Sequence, residues 1–286
     1  MVLCLGLAGC SSDSVEQNVE QALTPVTVRI DGFAVSQSDF PVTRAQSVGD
    51  YSTVKLITLA FYKSDGTEVY KHTQNRDDAG TFTTFGEFST SLMYGSYTMV
   101  VVANSGSNVP TLTSATSATY GENVVGDTFA HTETVNITNN TAVNLNATLD
   151  RIVSGIAVNS TDGRADEAKK LRITTTTGSR SFNPTTGLAT VNSGLTATIT
   201  NPEAVGTVTR SAALFFLAAD EQTADATIEA LDADDNVLFS TTVTDVPLKR
   251  NRLTILTGVI YSGTSTSASG FQLNTDWIAS EDPIAF

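Results

Sequence analysis

The stretch Pro25-Val26-Thr27-Val28-Arg29-Ile30-Asp31 sets Val26, Val28 and Ile30 against Thr27, Arg29 and Asp31 in strict alternation. A period of two predicts a half-buried strand, because successive side chains of an extended backbone leave on opposite sides. The same reading extends outward along the chain. Val54 to Lys63 is a strand, and Lys63-Ser64-Asp65-Gly66-Thr67 turns it back antiparallel into Glu68-Val69-Tyr70, with glycine accepting positive φ. Tyr97 to Asn104 is nearly continuously apolar, the pattern of a central strand covered on both faces. Val135 to Leu149 holds two more runs around Asn139-Asn140. Leu149 to Val158 opens a second series: Lys170 to Thr177, Thr196 to Thr200, Thr207 to Ala218, Ala226 to Leu231, Val237 to Val243 and Arg252 to Tyr261. Phe271 to Trp277 alternates once more. Two stretches break the pattern: Val35 to Tyr51, polar with one proline, reads as an exposed connection, and Val109 to Tyr120 reads as a loop or a short helix. Short strands at this spacing predict an all-β chain of two β-sandwiches, with the boundary near residue 149.

Composition agrees with that class. Threonine supplies 45 of the 286 residues, a β-branched enrichment suited to half-exposed strands. Sixteen Lys and Arg against thirty Asp and Glu leave a formal charge of −14, which argues against nucleic acid or an anionic membrane surface as the main partner. The two cysteines are Cys4 and Cys10, so no later thiol is available for a disulfide, a zinc site or a nucleophile. No apolar run approaches the roughly 18 residues of a spanning helix, so attachment to a membrane requires an anchor. Leu7-Ala8-Gly9-Cys10 ends a short apolar stretch and resembles a bacterial lipobox, with Cys10 as the lipidated residue. No Lys or Arg precedes Cys10, and a start codon placed too late accounts for the missing basic segment. Ser11 to Leu23 is polar and acidic, as a flexible tether is.

Enzyme signatures are absent: no Gly-x-Ser-x-Gly elbow, no His-Glu-x-x-His, no phosphate-binding Gly-x-x-x-x-Gly-Lys and no Gly-x-Gly-x-x-Gly. The chain is read as a non-enzyme that needs no cofactor. His72 and His131 are the only imidazoles and neither has a second ligand nearby in sequence, so no metal site is expected. Asp232-Ala233-Asp234-Asp235-Asn236 imitates the start of a calcium loop but has Val237 where glycine belongs and Val243 where a bidentate glutamate belongs; it reads as a turn. Paired carboxylates across a sugar site stay open on sequence grounds. Lys249-Arg250-Asn251-Arg252 is the one dense basic cluster, a strand lead-in or a complement to another copy's acidic surface.

Thr43-Arg44-Ala45 followed by Asp50 to Tyr62, then Tyr97 to Asn104, Leu149 to Val158, Leu248 to Gly258 and Gln272 to Trp277, in that order and spacing, resemble the fimbrillin family, the major-fimbria pilins of Bacteroidales. The resemblance implies two Greek-key-like, transthyretin-like β-sandwich domains in tandem with few short helices. Residues 1–24 would be signal remnant and tether, 25–149 the N-terminal domain with 25–44 removable, and 150–286 the C-terminal domain with a donor strand at 271–286. It also implies an outer-membrane lipoprotein precursor anchored at Cys10 and cut by an arginine-specific protease between Arg44 and Ala45. The strand carrying Val26, Val28 and Ile30 is then lost, and a donor strand bearing Phe271, Leu273 and Trp277 from another copy or a related subunit fills the groove. The product would be a cell-surface fimbrium touching a host or bacterial ligand. The alternative is a monomeric surface lipoprotein that binds glycans, with Trp277 and the tyrosines as stacking candidates.

Overall fold

A computed structural model describes residues 23–36, 43–49, 51–78, 80–200, 204–262 and 272–274. The chain is all-β, and among the described residues it contains no helix. The first half comprises β1 (Thr24–Ser36), β2 (Thr43–Ser47), β3 (Leu56–Lys63), β4 (Glu68–Asn75), β5 (Glu87–Leu92), β6 (Gly95–Asn104), β7 (Thr111–Ser114), β8 (Ser117–Thr119), β9 (Thr128–Ile137) and β10 (Val143–Arg151). The second comprises β11 (Ser154–Ser160), β12 (Lys170–Thr175), β13 (Ser181–Asn183), β14 (Leu188–Ala189), β15 (Leu195–Thr200), β16 (Arg210–Phe215), β17 (Glu221–Leu231), β18 (Val237–Lys249) and β19 (Leu253–Gly258), followed by β20 (Gln272–Asn274).

The halves repeat one wiring. In the first, β1 lies parallel to the last strand β10 and antiparallel to β5, while the facing strands run β4-β3-β6-β9. In the second, β11 lies parallel to β19 and antiparallel to β16, facing strands ordered β15-β12-β17-β18. A first strand returned beside the last, with the antiparallel strands between them on the opposite layer, is a Greek-key sandwich. The Asp65-Gly66 turn forms as its residues require: Gly66 has φ +84°, the Asp65 carboxylate accepts from Thr67 N at 2.8 Å, and β3 and β4 pair antiparallel.

Alternation explains the layers. On β6, Met99, Val101 and Ala103 point into the first sandwich, while Val100 and Val102 point the other way into a second core shared with Ile152, Val153, Leu214, Phe216 and Leu253 of the second half. Hence β6 is apolar on both faces. A third core, including Ile156, Val158, Leu171, Ile173, Ile228 and Leu256, fills the second sandwich. The stretch 109–120, read as a loop or short helix, instead forms the hairpin β7–β8, because Leu112 and Ala118 reach the shared core from opposite strands. β8 pairs with β13, Phe182 opposite Ala118, so a small four-stranded sheet draws strands from both halves. Phe182 stacks on Phe216 at 4.2 Å between ring centroids beneath it.

The last residue of β10 is Arg151, almost wholly buried. Its Nε and Nη2 donate to the two Asp127 carboxylate oxygens at 2.8 and 3.0 Å, Nη1 donates to Asn251 Oδ1 at 3.4 Å, and its guanidinium lies 5.0 Å from the Phe129 ring centroid. A buried charge without its counter-ion is costly, so Asp127→Ala should lower unfolding free energy by about 3–5 kcal/mol. Urea unfolding of the variant against the parent checks this.

Candidate functional site

β1 occupies a slot with a wall on each side. One flank pairs with β10 throughout, Val26 opposite Val143 to Ala34 opposite Asp150; the other pairs first with β5, Val28 opposite Phe88, and then with β2, Val35 opposite Arg44. Val26, Val28 and Ile30 are each at most 4% exposed and Phe33 is fully buried. A bulge between Ile30 and Gly32 moves the inward phase by one residue, which is why the buried positions run 26, 28, 30 and then 33. Burial of the three aliphatic residues stabilises by roughly 5–9 kcal/mol as an upper estimate. Opposite them lie Phe88, Leu92, Ala147, Leu149, Phe129, Val135 and Ile137, all in the same core. Drawing β1 out would therefore leave a long apolar trench with unpaired backbone along both walls.

The wall made by β5 is the part that sequence reading missed. Phe88, Thr90 and Leu92 do alternate with serines and glutamate behind Gly86, and that short pattern is the signal that could have found it. Its position is set by the buried Gln74, whose amide donates to Glu87 O at 2.7 Å and whose carbonyl accepts from Gly86 N at 2.8 Å. Gly86, at φ +88°, then gives its carbonyl to Ile30 N at 2.9 Å.

The chain just after β2 is pinned separately from β1. Arg76 donates from Nε to Val54 O at 2.8 Å and from Nη2 to Val48 O at 2.9 Å and Tyr51 O at 3.3 Å. Tyr51 OH donates to Asp127 Oδ2 at 3.0 Å and also contacts Arg151 Nη2, while its ring lies 5.5 Å from both Phe33 and Phe129. Burial, with the Asp127 carboxylate alongside, pushes the Tyr51 phenol up to about 12. Val48, Tyr51 and Val54 thus hold to the body of the protein through the Arg76 and Tyr51 side chains, which do not belong to β1.

Of the predicted site residues, Val26, Val28 and Ile30 are together on β1. Arg44 and Ala45 fall not in a connection but in β2, opposite Val35 and Ala34. The polar composition of 35–51 hid this strand because its ladder comes from an extended β1, not from an apolar face. Leu273 lies in β20, opposite Leu256 on β19. Cys10, Phe271 and Trp277 lie outside the described residues. His72 is exposed on β4, and His131 on β9 is 3.9 Å from Glu133. The Asp232 segment is a turn, its carboxylate accepting from Asp234 N and Asn236 N at 2.9 Å, with Lys170 on Asp235 at 2.8 Å. In the basic cluster, Arg250 pairs with Asp220 at 2.8 Å and Lys249 pairs with Glu221. These line a polar cleft of about 770 Å³ between the halves with His131, Asp150 and Asn251, and no Phe, Tyr or Trp is among its lining residues. No helix of the described residues is long and apolar enough to cross a membrane.

The model of a family of unknown function, DUF6562, matches residues 17–277. The chain belongs to that family. No curated protein matches it. This DUF6562 chain shares its fold with a candidate adhesin from Bacteroides ovatus ATCC 8483, at TM-score 0.51 and 14% identity over 84% of this chain and 88% of that one. A second candidate adhesin from Bacteroides ovatus aligns at TM-score 0.50 and 10% identity over 78% of each chain. A candidate adhesin from Bacteroides thetaiotaomicron VPI-5482 aligns at TM-score 0.50 and 11% identity over 88% of this chain and 97% of the other. The coarser part of the sequence resemblance, a distant structural likeness to adhesins of Bacteroides, is what these alignments carry.

The raised Tyr51 pKa has a direct consequence for stability. An unfolded tyrosine titrates near 10, so the stability that the protonated phenol contributes is complete below about pH 10 and is lost as pH rises towards 12. In Tyr51→Phe that alkaline loss should shrink, measured as the difference in urea-unfolding free energy between about pH 9 and pH 11.5.

Proposed function

We propose that this protein is a fimbrial subunit that assembles by exchanging β1 for a strand of another copy. The observation that carries the reading is the seat of β1: an edge-to-edge slot, four buried apolar residues in register, and a following β2 that contains Arg44-Ala45 and ends just before a segment pinned by Arg76 and Tyr51. A cut after Arg44 separates β1 from that pinned segment, so β1 can leave while residues from Ala45 onward stay attached. The departing strand exposes the trench, and a β-strand with inward apolar residues restores both its hydrogen bonds and its buried surface. A groove on one copy filled by a strand of the next is a heterologous contact, which propagates as an open filament.

The precursor is exported as a lipoprotein anchored through Cys10, and the donor is the C-terminal segment 271–286, with Phe271, Leu273 and Trp277 as inward residues. Adhesion through the assembled fimbrium accords with the shared fold of the Bacteroides adhesins. Because Arg44 lies in β2, cleavage requires β2 to peel from β1. β2 has β1 as its sole strand neighbour among the described residues, and an edge strand of five residues opens far more readily than a central one.

Limited digestion of the precursor with an arginine-specific protease tests the proposal. The expected result is a stable product starting at Ala45 by intact mass, with heat-labile multimers on an unboiled gel; a monomer after cleavage at Arg44 would overturn it. Arg44→Ala should stay folded and uncut at this site. A chain lacking residues 271–286 should be cut normally yet remain monomeric by sedimentation, and filaments from it would remove the C-terminal donor assignment.

A further inference from the structure

We propose that the open edge of β10, residues 143–149, takes up the β20 strand of a second copy, antiparallel, while β1 is still in place. This goes beyond the exchange mechanism above and does not require cleavage.

The repeated wiring carries the argument. β10 and β19 are equivalent last strands, each parallel to the first strand of its own half. On β19 the flank away from β11 is paired with β20 through Ile255–Asn274, Leu256–Leu273 and Thr257–Gln272. On β10 the flank away from β1 meets β9 at Asp150 and Arg151 alone, and among the described residues no strand pairs with 143–149 on that side. The fold therefore presents twice the kind of edge that β20 fits, and it fills one of them.

Burial points the same way. Leu256, beside β20, is fully buried in the second sandwich, whereas Val143 and Leu145 on β10 are only partly buried against the first. A strand laid along β10 would cover them, with Leu273 over Leu145. The edge is also unguarded. Soluble proteins protect sheet edges with charge, proline or bulges, and two of the edges here do so: β4 carries Glu68 and Lys71, and β18 carries Asp245 and Pro247. Val143-Asn144-Leu145-Asn146-Ala147-Thr148-Leu149 has none of these. Its polar-apolar-polar Asn144-Leu145-Asn146 matches Gln272-Leu273-Asn274 position for position, so amide side chains would sit opposite one another on the solvent face.

The test uses the full chain with Arg44→Ala, so that β1 stays, and a fluorescent peptide of residues 269–280. The expected result is saturable binding by anisotropy, with slowed amide exchange in 143–149. Asn144→Asp with Asn146→Asp, near-isosteric changes at exposed positions, should weaken binding at least tenfold, because the carboxylate introduced at position 144 would lie diagonal on the same face to Asp276, which this register sets opposite Ala142. Leu273→Asp in the peptide, which leaves the protein untouched, should do the same. No binding, protection confined to 253–258, or equal affinity in both variants would overturn the inference. Since the exchange mechanism acts only after cleavage, multimers formed by the cut chain alongside any of those results would leave it standing.

Discussion

The parallel pairing of β1 with β10 is the constraint on which the first half depends. Without it, the two layers of the sandwich are joined along one side by the short contact of β10 with β9, and Phe88, Leu149 and Phe129 lose the side chains that cover them. The contribution of β1, several kcal/mol of apolar burial, is comparable with the whole net stability of an ordinary domain. A strand buried this deeply leaves an energetically demanding vacancy if it departs, and that is the physical basis of the proposed exchange.

The same half is tied to the second by means that do not involve β1. The shared core between β6 and β11, the four-stranded sheet contributed by both halves, and the Arg151 link from Asp127 to Asn251 all remain if β1 leaves. Tyr51 and Arg76 hold the chain after β2 to that lasting framework. In the proposed exchange these contacts form the receiver and β1 the strand replaced, with the boundary falling at β2.

The repeat of the seven-strand wiring explains why the second half is closed where the first is not. In the second half, β11 is joined to the preceding strand by two residues and cannot be withdrawn, and β20 covers the flank of β19. In the first half no such two-residue link joins β1 to a preceding strand among the described residues, and the flank of β10 away from β1 is uncovered along 143–149. Both proposed contacts, the exchanged strand and the added one, therefore involve β10.

Local pattern by itself determined much. Strict alternation at Val26, Val28 and Ile30, the Asp65-Gly66 turn, the two-faced apolar run of β6 and the turn at Asp232 were each legible, because their physics resides in neighbouring residues. The fold class followed from their spacing. What tertiary structure decided were the features whose cause is distant in sequence. Arg44 lies in a strand because an extended β1 offers it a ladder, and no apolar period marks that. β7 and β8 are strands because Leu112 and Ala118 find a core made partly by residues 182 and 216. β5 is a wall of the β1 slot because Gln74, thirteen residues before Glu87, fixes its start. The bulge that turns Phe33 inward, and the open flank of β10, appear only when strands from opposite ends of a half are laid side by side.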